Sequence, residues 1–574
     1  MRDRRNTNLS ISSTDSTNSA VSSRSARDSF NDKRHSSPPP PPLSPTLPAP
    51  AIGRLKAQPI WRRSIALKLV LLGFAVFVLW RHIARPWSEN RVGKLVEQTE
   101  AQTEWDAGND LPGEPTALVV ADPTGTSKWT ISIPHNWTFP LPSRYYKAMC
   151  SHGNALRNSM NADGGRRGSS RWWRKSEYFA KDYTFLDVTD AENVGALPKS
   201  KVATSNVCER SMTFVLESDD ASFGQTLLRL WLSYGLAKEE GRSFFLDDSS
   251  WAWGRYASYF VPIAKPTCTR PPAHHIVPCP HSAKHLVVSS ATTPWTFGSP
   301  FQKEFQGHHK HGLASQRRIF ELIRTGYEAL FHLTGEDALY AASRIAKFRD
   351  DAERSNGLLV GMQIRRGDLH PFEYQYNGDY LPLERYADAA RSLLQSQRGA
   401  SSDTRDRSPE DFARSPLVLA SDDPDILEDP ELIQAASPLV IQKAQTRIQL
   451  ATKATLDLTS PVLPLREPGS AYVKHMDENT GWEGGFYSAL FFSLGGAKAG
   501  DNQTLPEQAL RLRNLVGRAY LLDLAVLSES DGVVCAVSSA TCRALAVMMG
   551  WNALIEGRFV NVDDHRSWSW DSQR

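Results

Sequence analysis

The sequence predicts an α/β fold with parallel β-sheet, built twice along the chain and placed behind one N-terminal transmembrane helix. The first observation is a repeated alternation of short apolar runs with stretches of helical periodicity, which is typical of βαβ units. The second is one strongly apolar run near the N-terminus. The third is composition: at 40% hydrophobic and 22% charged residues, this chain of 574 residues is not collagen-like, coiled-coil or wholly disordered, and it is too long for one domain.

Residues 1–60 are predicted to form a disordered, Ser- and Pro-rich cytosolic tail, because they hold too few apolar side chains to offset the entropy of ordering. The run Pro38–Pro42 favours an extended polyproline II spacer, with a ligand for a proline-reading module as the alternative. Residues 1–63 carry 11 Lys and Arg against 4 Asp and Glu. Because the basic excess lies in this tail, no nucleic-acid binding is predicted for the folded part.

Residues 64–84 are predicted to form a transmembrane anchor. Within them, Ser64–Trp80 reads SIALKLVLLGFAVFVLW, a length that one spanning helix can use. A buried core helix and a cleaved signal peptide are the alternatives, but a signal peptide does not normally follow so long a hydrophilic stretch.

The cysteines favour one orientation of this anchor. The positive-inside rule favours neither orientation, because Lys and Arg flank both ends of the anchor. All six cysteines follow the anchor, as do the glycosylation acceptor motifs at Asn136 and Asn502. No two cysteines form a CxxC pair, which argues against a zinc ribbon. The sequence therefore predicts a type II membrane protein with a large lumenal C-terminal part.

The lumenal part is predicted to contain a stem and poorly defined region at 85–205, a first α/β half at 206–350 and a second at 351–574. The first half begins with a strand (SMTFVLES), a tight turn (ASFGQ), a helix (TLLRLWLSYGLAKEEG) and a second strand (RSFFLDD), which together predict a βαβ unit.

The second half repeats the alternation and contains a polar insertion, Ser396–Ser415, predicted to be a surface loop. Strands are predicted at Leu358–Ile364, Leu417–Ala420 and Gly532–Val537. Helices are predicted at Leu383–Leu394, at Leu510–Leu527 and after Ser539.

The densest candidate site is Gln363-Ile-Arg-Arg-Gly-Asp368, directly after a predicted buried strand. Ligands of open α/β sheets bind at the carboxyl ends of strands, and two adjacent guanidinium groups match phosphate oxygens. We predict that Arg365 and Arg366 bind a diphosphate. The alternative is that both are ordinary surface arginines, paired with Asp368 and Glu373.

Asp422 and Asp423 follow the next predicted strand and should emerge at the same edge of the sheet. Asp423-Pro-Asp425 resembles the DxD pattern that holds a divalent ion in metal-dependent glycosyltransferases. The competing interpretation is that one of these aspartates caps the next helix.

Asp523 lies on an apolar stripe of a predicted helix, since Ala519, Tyr520, Val526 and Leu527 are its helical neighbours, and it should therefore face inward. A buried carboxylate needs hydrogen-bond donors or a cation. Three roles are open for Asp523. It forms a purely structural ion pair with an arginine, it holds Arg365 or Arg366 in place for the site, or it accepts a hydrogen bond from a nucleotide.

Two strand-to-helix turns are candidate phosphate sites. Ser538 and Ser539 end a strand and open a helix, where free backbone N–H groups favour an anion. The alternative is an N-cap serine without a ligand. Gly224 lies in the first strand-to-helix turn, where the missing side chain allows a ligand to approach.

Four blocks, in this order between residues 210 and 557, resemble the alpha-1,6-fucosyltransferase family, together with the related nodulation fucosyltransferases and, more distantly, the protein O-fucosyltransferases. The blocks are FVLESDDASFGQTLLRLWLSYGLAKEEGRSFFLDDSSW, VGMQIRRGD, VLASDDPDIL and LLDLAVLSESDGVVCAVSSATCR. The resemblance implies two Rossmann-like halves of the GT-B-like glycosyltransferase type. It also implies an inverting transfer from GDP-fucose without a metal, by a single-pass protein of the Golgi membrane.

The same resemblance implies roles for individual residues. Arg365 and Arg366 would bind the diphosphate, and Ser539 would contact phosphate. The nucleotide site would be supported by Asp422, Asp423 and Asp523. The chain departs from the family at Gln363, where the family often has His, at Leu369, where a Lys is expected, and at Ala540, where core-fucosylating members have Gln. These departures leave the acceptor unassigned.

An inverting transfer needs a base for the acceptor hydroxyl, and positive charge to offset the departing diphosphate. The candidate bases are Glu373 first and Asp368 second, with pairing to an arginine as the alternative for each. The predicted partners are a GDP-sugar donor, a glycan or glycoprotein acceptor and the membrane, with no metal and no nucleic acid; a homodimer stays open. The rival interpretations are a non-catalytic lumenal protein that binds sugar nucleotides or glycans, and a metal-dependent transferase using Asp423 and Asp425.

Overall fold

The computed structural model describes the chain in eleven segments: 111–163, 178–199, 205–217, 223–307, 312–355, 357–366, 381–400, 415–423, 425–449, 507–563 and 566–571. They belong to one compact unit, Glu100–Arg574. Five sequence predictions fall outside these segments: the tail 1–60, the anchor 64–84, Asp368, Glu373 and the acceptor motif at Asn502. Within the segments themselves, no helix combines the length and the apolar character needed to span a bilayer.

The described strands form one antiparallel hairpin and two parallel sheets. The hairpin pairs β1 (Thr116–Ala121) with β2 (Ser127–Ser132). The first sheet has the order β4-β3-β5 and the second has the order β10-β9-β6-β7-β8. The strands of these two sheets are β3 Ser211–Val215, β4 Ser243–Asp247, β5 His285–Val288, β6 Val360–Ile364, β7 Pro416–Ser421, β8 Val440–Lys443, β9 Gly532–Cys535 and β10 Phe559–Asn561.

Helices connect and cover these strands. In chain order they are α1 Ser143–Asp163, α2 Val188–Asn193, α3 Phe223–Glu239, α4 Thr293–Thr296, α5 Ser299–Phe305, α6 Arg317–Leu330, α7 Gly335–Arg354, α8 Leu383–Ala400, α9 Pro430–Ala436, α10 Glu507–Leu527, α11 Ala540–Met549 and α12 Trp551–Ile555. Short 3-10 helices occur at Tyr256–Ser258, Ala273–His275, Gly312–Gln316 and Ile426–Glu428.

Two glycines allow α3 and α6 to pack backbone against backbone. A Cβ atom on Gly235 would lie 2.0 Å from the carbonyl oxygen of Leu322, and one on Gly326 would lie 2.0 Å from that of Trp231. Because no side chain fits either position, the pair of glycines sets how closely the two helices approach. This contact fixes α3, the crossover helix between β3 and β4, over the first sheet.

The second sheet is covered on both faces, as its fully buried central strands β6 and β9 require. Alternate residues of β7 join different clusters: Leu417 and Leu419 pack with α8, whereas Val418 and Ala420 pack with residues of α10 and α11. Since neighbouring strand residues point to opposite faces, α8 and α10 lie on opposite sides of the sheet.

The described residues between Thr116 and Asn193 belong to the region that the sequence assigned to a stem. They include the β1–β2 hairpin and the helices α1 and α2, and they are joined to the following part by the disulfide Cys150–Cys279. A second disulfide links Cys208 to Cys268.

The predicted alternation of strands and helices is confirmed: the structure is mixed α/β with parallel sheets. Every strand and helix predicted in the second half is present, with ends shifted by a few residues. Two boundaries differ most. α8 continues to Ala400, into the predicted surface loop Ser396–Ser415, and β9 ends at Cys535 rather than Val537. β5, β8 and β10 were not predicted, because three or four residues carry too little periodicity to be recognised.

Candidate functional site

The candidate site lies at the carboxyl edge of the second sheet. Polar residues follow four strands there: Arg365 and Arg366 after β6, Asp422 and Asp423 after β7, Ser538 and Ser539 after β9, and Asp563 after β10. All four strands are parallel, and each is hydrogen-bonded to its neighbour in the order β10-β9-β6-β7. Strand pairing alone therefore brings these residues to one edge.

Arg366 joins the ends of β6 and β7 through its backbone and is held by carboxylates through its side chain. Its N–H donates to Asp422 Oδ1 at 2.7 Å. Its guanidinium lies 3.1 Å from Asp429 Oδ2 and 3.4 Å from Glu431 Oε2, and the side chain is 15% exposed. Arg366 is therefore an ion-paired residue whose partners among the described residues lie at the start of α9; the predicted partners Asp368 and Glu373 lie outside the described segments. Asp429 and Glu431 offset its charge.

Glu431 also links the ion pairs of Arg366 to α8. Its Oε1 accepts the backbone N–H of Leu383, the first residue of α8, at 2.6 Å. Asp429 caps α9 by accepting the N–H of Glu431 at 2.9 Å. The first turns of α8 and α9 are thus held together around the Arg366 side chain.

Tyr386, on the first turn of α8, interacts electrostatically with the charged groups at this edge of the sheet. Its side chain is 2% exposed, and burial raises the pKa of its hydroxyl. The negative charges of Asp563 and Asp422 raise that pKa further, whereas Arg366 and Arg365 lower it. Charged groups from three strand ends therefore lie within electrostatic range of one buried phenol.

Gln363 and Asp523 lie on one face of the second sheet. A Cβ atom on Gly361 of β6 would contact Leu527 of α10 at 3.0 Å, which places these two positions opposite each other. α10 returns directly to parallel β9 and so runs antiparallel to β6. Asp523 lies one turn before Leu527, and Gln363 lies two residues after Gly361, so both are displaced toward the carboxyl edge.

Both of these side chains are polar groups in packed surroundings. Gln363 is 6% exposed, and its amide oxygen makes no hydrogen bond within the described segments. Burial raises the pKa of Asp523 well above the usual value, opposed by the positive charge of Lys443 at the end of β8. The three roles predicted for Asp523 stay predictions.

Ser538 and Ser539 form the turn between β9 and α11. Ser539 is the N-cap of α11, and its hydroxyl accepts the N–H of Thr541 at 3.2 Å. The N–H of Ser538 donates to Asp563 Oδ2 at 2.7 Å. The capping interpretation of Ser539 is therefore what the structure contains, and a carboxylate already bonds the backbone donor of Ser538.

A disulfide and an asparagine also fix this turn. Cys535, the last residue of β9, is bonded to Cys542 in the first turn of α11. Asn561 Oδ1 accepts the N–H of Val537 at 3.0 Å. The turn is thus rigid before any ligand binds.

Gly224 lies in the first turn of α3, close to α11. Its neighbour Gln225 accepts a hydrogen bond from the Arg543 guanidinium of α11 at 3.0 Å. Phe223 packs against Tyr520 of α10, with ring centroids 5.5 Å apart. The start of α3 therefore contacts both α10 and α11.

Within the part of the chain that the structure describes, Asp423 and Asp425 do not belong to a cluster of three metal-type ligands. Asp423 is 2% exposed, and its Oδ1 accepts the N–H of Asp425 at 3.0 Å, which closes the turn after β7. Among described residues, the one set of at least three metal-type ligands lies elsewhere, at His135, Glu192 and His274. For Asp423 the structure thus contains the local hydrogen-bonding alternative.

Sequence reasoning missed three residues of this edge: Asp563, Arg543 and Glu431. Arg543 had a usable signal, because it is the single charged residue in the otherwise apolar helix α11. Asp563 and Glu431 had none, since short acidic segments are common on surfaces. A cleft of about 370 Å³ opens at the other edge of the sheet, and its lining, which includes Arg349, Asp531 and Arg558, contains none of the predicted site residues.

Comparisons with known proteins give weak likenesses. No known protein-family profile matches the chain, and no curated protein matches it. Among solved structures, it is similar to a NodZ alpha-1,6-fucosyltransferase soaked with GDP-fucose (12% identity, 59% of this chain and 93% of that chain, TM-score 0.27). It is also similar to the fucosyltransferase NodZ from Bradyrhizobium (10%, 58% and 92%, TM-score 0.24). A third is an Arabidopsis thaliana FUT1 mutant in complex with GDP (10%, 59% and 68%, TM-score 0.26). At these values the likeness assigns neither a family nor an activity.

Proposed function

We propose that this protein is a glycosyltransferase that transfers fucose from GDP-fucose to a glycan or glycoprotein acceptor, with inversion and without a metal. The four ordered sequence blocks support the donor and the reaction. One structural observation carries the site: parallel pairing brings Arg365 and Arg366, Asp422, Ser538 and Asp563 to one carboxyl edge, where the N–H of Arg366 bonds Asp422 and the N–H of Ser538 bonds Asp563, each at 2.7 Å. Open α/β sheets bind their ligands at this edge.

The two arginines receive different roles in this proposal. Because Asp429 and Glu431 offset the charge of Arg366, we assign the β-phosphate to Arg365. Arg366 is a positioning residue, which ties β6 to β7 through Asp422 and holds the loop that carries Arg365. A guanidinium at the β-phosphate stabilises the diphosphate as negative charge develops on it.

The remaining predicted residues would hold the nucleoside and support the turn. Gln363 offers a buried amide oxygen to a nucleotide donor group, and Asp523 would support the nucleotide site from α10. Asp422 and Asp423 hold the loops after β6 and β7. Ser538 and Ser539 shape the turn before α11, and Gly224 leaves room for the donor on the opposite side.

The chemical step is a displacement at the anomeric carbon of fucose. The acceptor oxygen forms a bond to that carbon, the bond to the β-phosphate oxygen breaks, and the diphosphate leaves as GDP. The acceptor proton passes to a base, for which we propose Glu373 first and Asp368 second. Both residues lie in the segment 367–380, directly after Arg366.

We further propose a type II arrangement in the Golgi membrane, with residues 64–84 as the anchor. Asn136, in an Asn-Trp-Thr acceptor motif, is exposed, as glycosylation requires. Expressed in cells, the full chain should lose mass on treatment with an N-glycosidase, and Asn136→Gln should reduce that loss. An unglycosylated full chain would contradict the lumenal assignment.

A non-catalytic binding protein is the second candidate, and two contacts favour it. Arg366 is neutralised by carboxylates, and the N–H of Ser538 is bonded to Asp563, so two predicted phosphate donors are already engaged.

A nucleotide-sugar screen separates these functions. The purified full chain is incubated with GDP-fucose, GDP-mannose and UDP-sugars, with and without glycan acceptors, and released nucleoside diphosphate is measured. We expect GDP release from GDP-fucose at a rate independent of added Mg²⁺ or Mn²⁺. Binding of GDP without any turnover would support the binding protein, and turnover of UDP-sugars alone would refute the proposal.

A further inference from the structure

Three metal-type ligands converge beside the first sheet, away from the candidate donor site. They are His135, in the segment after β2, Glu192 of α2, and His274 of the 3-10 helix Ala273–His275. One ligand atom from each lies within 4.8 Å of the other two. Two imidazoles and one carboxylate are a ligand set that proteins use for zinc.

The contacts inside this cluster resemble ligands around an ion more than a closed hydrogen-bond network. His274 Nε2 lies 3.1 Å from Glu192 Oε1, and the rings of His135 and His274 are 4.2 Å apart. Neither His274 Nε2 nor His275 Nε2 makes a well-aligned hydrogen bond in the described part of the chain. Ligand atoms on tetrahedral zinc are about 3.3 Å apart for bonds near 2.0–2.1 Å. The His274–Glu192 pair is already near this separation, and a pair at the 4.8 Å limit would have to close by about 1.5 Å.

The charge balance of the cluster favours a cation. Glu192 is 8% exposed, and its ion-pair partners among the described residues are His274 and His275, at 3.1 and 3.0 Å. A buried carboxylate needs a cation or hydrogen-bond donors. A divalent ion between the three ligands would supply the positive charge.

A second His–Glu contact in the same chain provides a comparison. His281 Nε2 lies 2.5 Å from Glu240, but the Arg242 guanidinium also lies 2.6 Å from that carboxylate and balances its charge. No third metal-type ligand joins that pair in the described segments. Glu192 differs because His135 and His274 both converge on it, and because no arginine or lysine of the described segments forms an ion pair with it.

The three ligands sit on elements that are fixed independently of any ion. Asp187 caps α2 by accepting the N–H of Thr189 at 3.1 Å, and it also accepts the N–H of Lys284 at 2.8 Å, next to β5. The segment that carries His274 is bound to α1 by the disulfide Cys150–Cys279. A site assembled on such fixed elements loses little entropy on binding an ion.

We propose that His135, Glu192 and His274 form a structural zinc site that fastens the β1–β2 hairpin and α2 to the first sheet. His275, with Nε2 at 3.0 Å from Glu192 Oε2, orients the carboxylate without ligating. The site lies near His285, the first residue of β5, since the rings of His275 and His285 stack at 6.4 Å. That is the amino edge of the sheet, opposite the edge that binds ligands, so the ion is assigned a structural role.

Metal binding by the purified full chain tests this proposal. The protein is stripped with a chelator and dialysed, and Zn²⁺ is added in competition with a chromophoric chelator; Co²⁺ is used as a visible-absorption probe of ligand geometry. The wild type should bind one equivalent with a rise in melting temperature. His135→Ala changes an exposed residue and should still fold, and it should weaken binding by at least about tenfold. His152→Ala, at an exposed histidine of α1, is the matched control and should bind like the wild type.

His274→Ala and Glu192→Gln should also lose binding, and circular dichroism shows whether each variant folds. Absence of zinc binding by the wild type overturns the proposal, as does equal affinity in His135→Ala and the wild type. GDP binding is measured on the same samples. Because the zinc site lies at the opposite edge of a different sheet, His135→Ala should bind GDP as the wild type does, so this result is separate from the fate of the proposed function.

Discussion

The Arg543 guanidinium donates a hydrogen bond at 3.0 Å to Gln225 Oε1, across 318 residues of sequence. Arg543 belongs to α11, which follows the last strands of the second sheet, and Gln225 belongs to the first turn of α3, which follows β3. Arg543 is 3% exposed. The two helix starts that border the candidate site are therefore joined by a buried charged hydrogen bond.

Replacing Gln225 with Ala removes this acceptor and should lower the free energy of unfolding by about 1–3 kcal/mol, because a buried charged donor loses a partner. Chemical unfolding of the variant measures the loss. Gln434→Ala, at an exposed glutamine of α9, is the matched control and should change stability by less than about 0.5 kcal/mol. Equal stability of both variants would show that the Arg543–Gln225 bond contributes nothing.

Glu240 should be a strong determinant of stability. Its side chain is 3% exposed and lies 2.6 Å from the fully buried side chain of Arg242. Burial raises the pKa of Glu240, but His281 and Arg242 together lower it to about 2. Glu240→Gln leaves the buried guanidinium without its counter-charge and should cost about 3–5 kcal/mol. Its neighbour Glu239 is exposed, so Glu239→Gln should be almost neutral; a similar melting temperature for the two variants would contradict this account.

His285 should make the protein less stable as pH falls below about 6.5. Burial lowers the pKa of its imidazole to about 4, a shift that Asp187 opposes and that His275, Arg242 and Lys284 reinforce. The unfolded chain therefore binds a proton between pH 6.5 and 4 that the folded chain does not, and the unfolded state gains stability there. From pH 7 to 5 the loss should be about 2 kcal/mol.

Urea unfolding at pH 7, 6 and 5 measures this loss. In His285→Asn the dependence on pH should be flatter over this range. Glu192 and Glu240, with pKa values lowered to about 2, lose their contribution only at pH values below about 4.5, outside this window. An equally steep dependence in the variant would assign the effect to another group.

Local periodicity made most of the α/β framework predictable. The buried run of β6 and the apolar stripe of α10 are visible in the sequence because their periods of 2 and 3.6 are local properties. The β1–β2 hairpin was missed, since Thr116–Ala121 and Ser127–Ser132 mix polar and apolar residues without strict alternation.

The candidate site was predictable only in part, for a related reason. Arg365, Arg366, Asp422 and Ser539 follow predicted strands, so the rule that ligands bind at carboxyl ends was enough to group them. The partners of these residues depend on packing. Arg366 meets Asp429 and Glu431, and Arg543 meets Gln225, at separations of 63, 65 and 318 residues that no local pattern reports.

The proposed zinc ligands could not be recognised from local sequence patterns either. His135, Glu192 and His274 have no metal-ligand spacing in the sequence, and only the packing of three separate segments brings them together. The cysteines, in contrast, gave a correct general indication: their even number allowed full pairing, and all six form disulfides, although the pairing itself was not predicted.

Asp563→Asn should weaken donor binding through the turn before α11. The Asp563 carboxylate accepts both the N–H and the hydroxyl of Ser538, at 2.7 and 3.3 Å. An amide in its place loses one acceptor and repositions the turn, so GDP affinity should fall by about tenfold while the fold is kept. Asp350→Asn, at an exposed position of α7, should leave GDP affinity unchanged. Unaltered affinity in Asp563→Asn would remove this turn from the donor site.

The most direct test of the central claim is the affinity of the purified full chain for GDP, measured by calorimetry for the wild type and Arg365→Ala. If Arg365 binds the β-phosphate, the variant should lose about tenfold or more in affinity, the value expected for a charged hydrogen bond, with an unchanged melting temperature. Equal affinity of the two proteins for GDP would contradict the account, because no diphosphate would then lie at the end of β6.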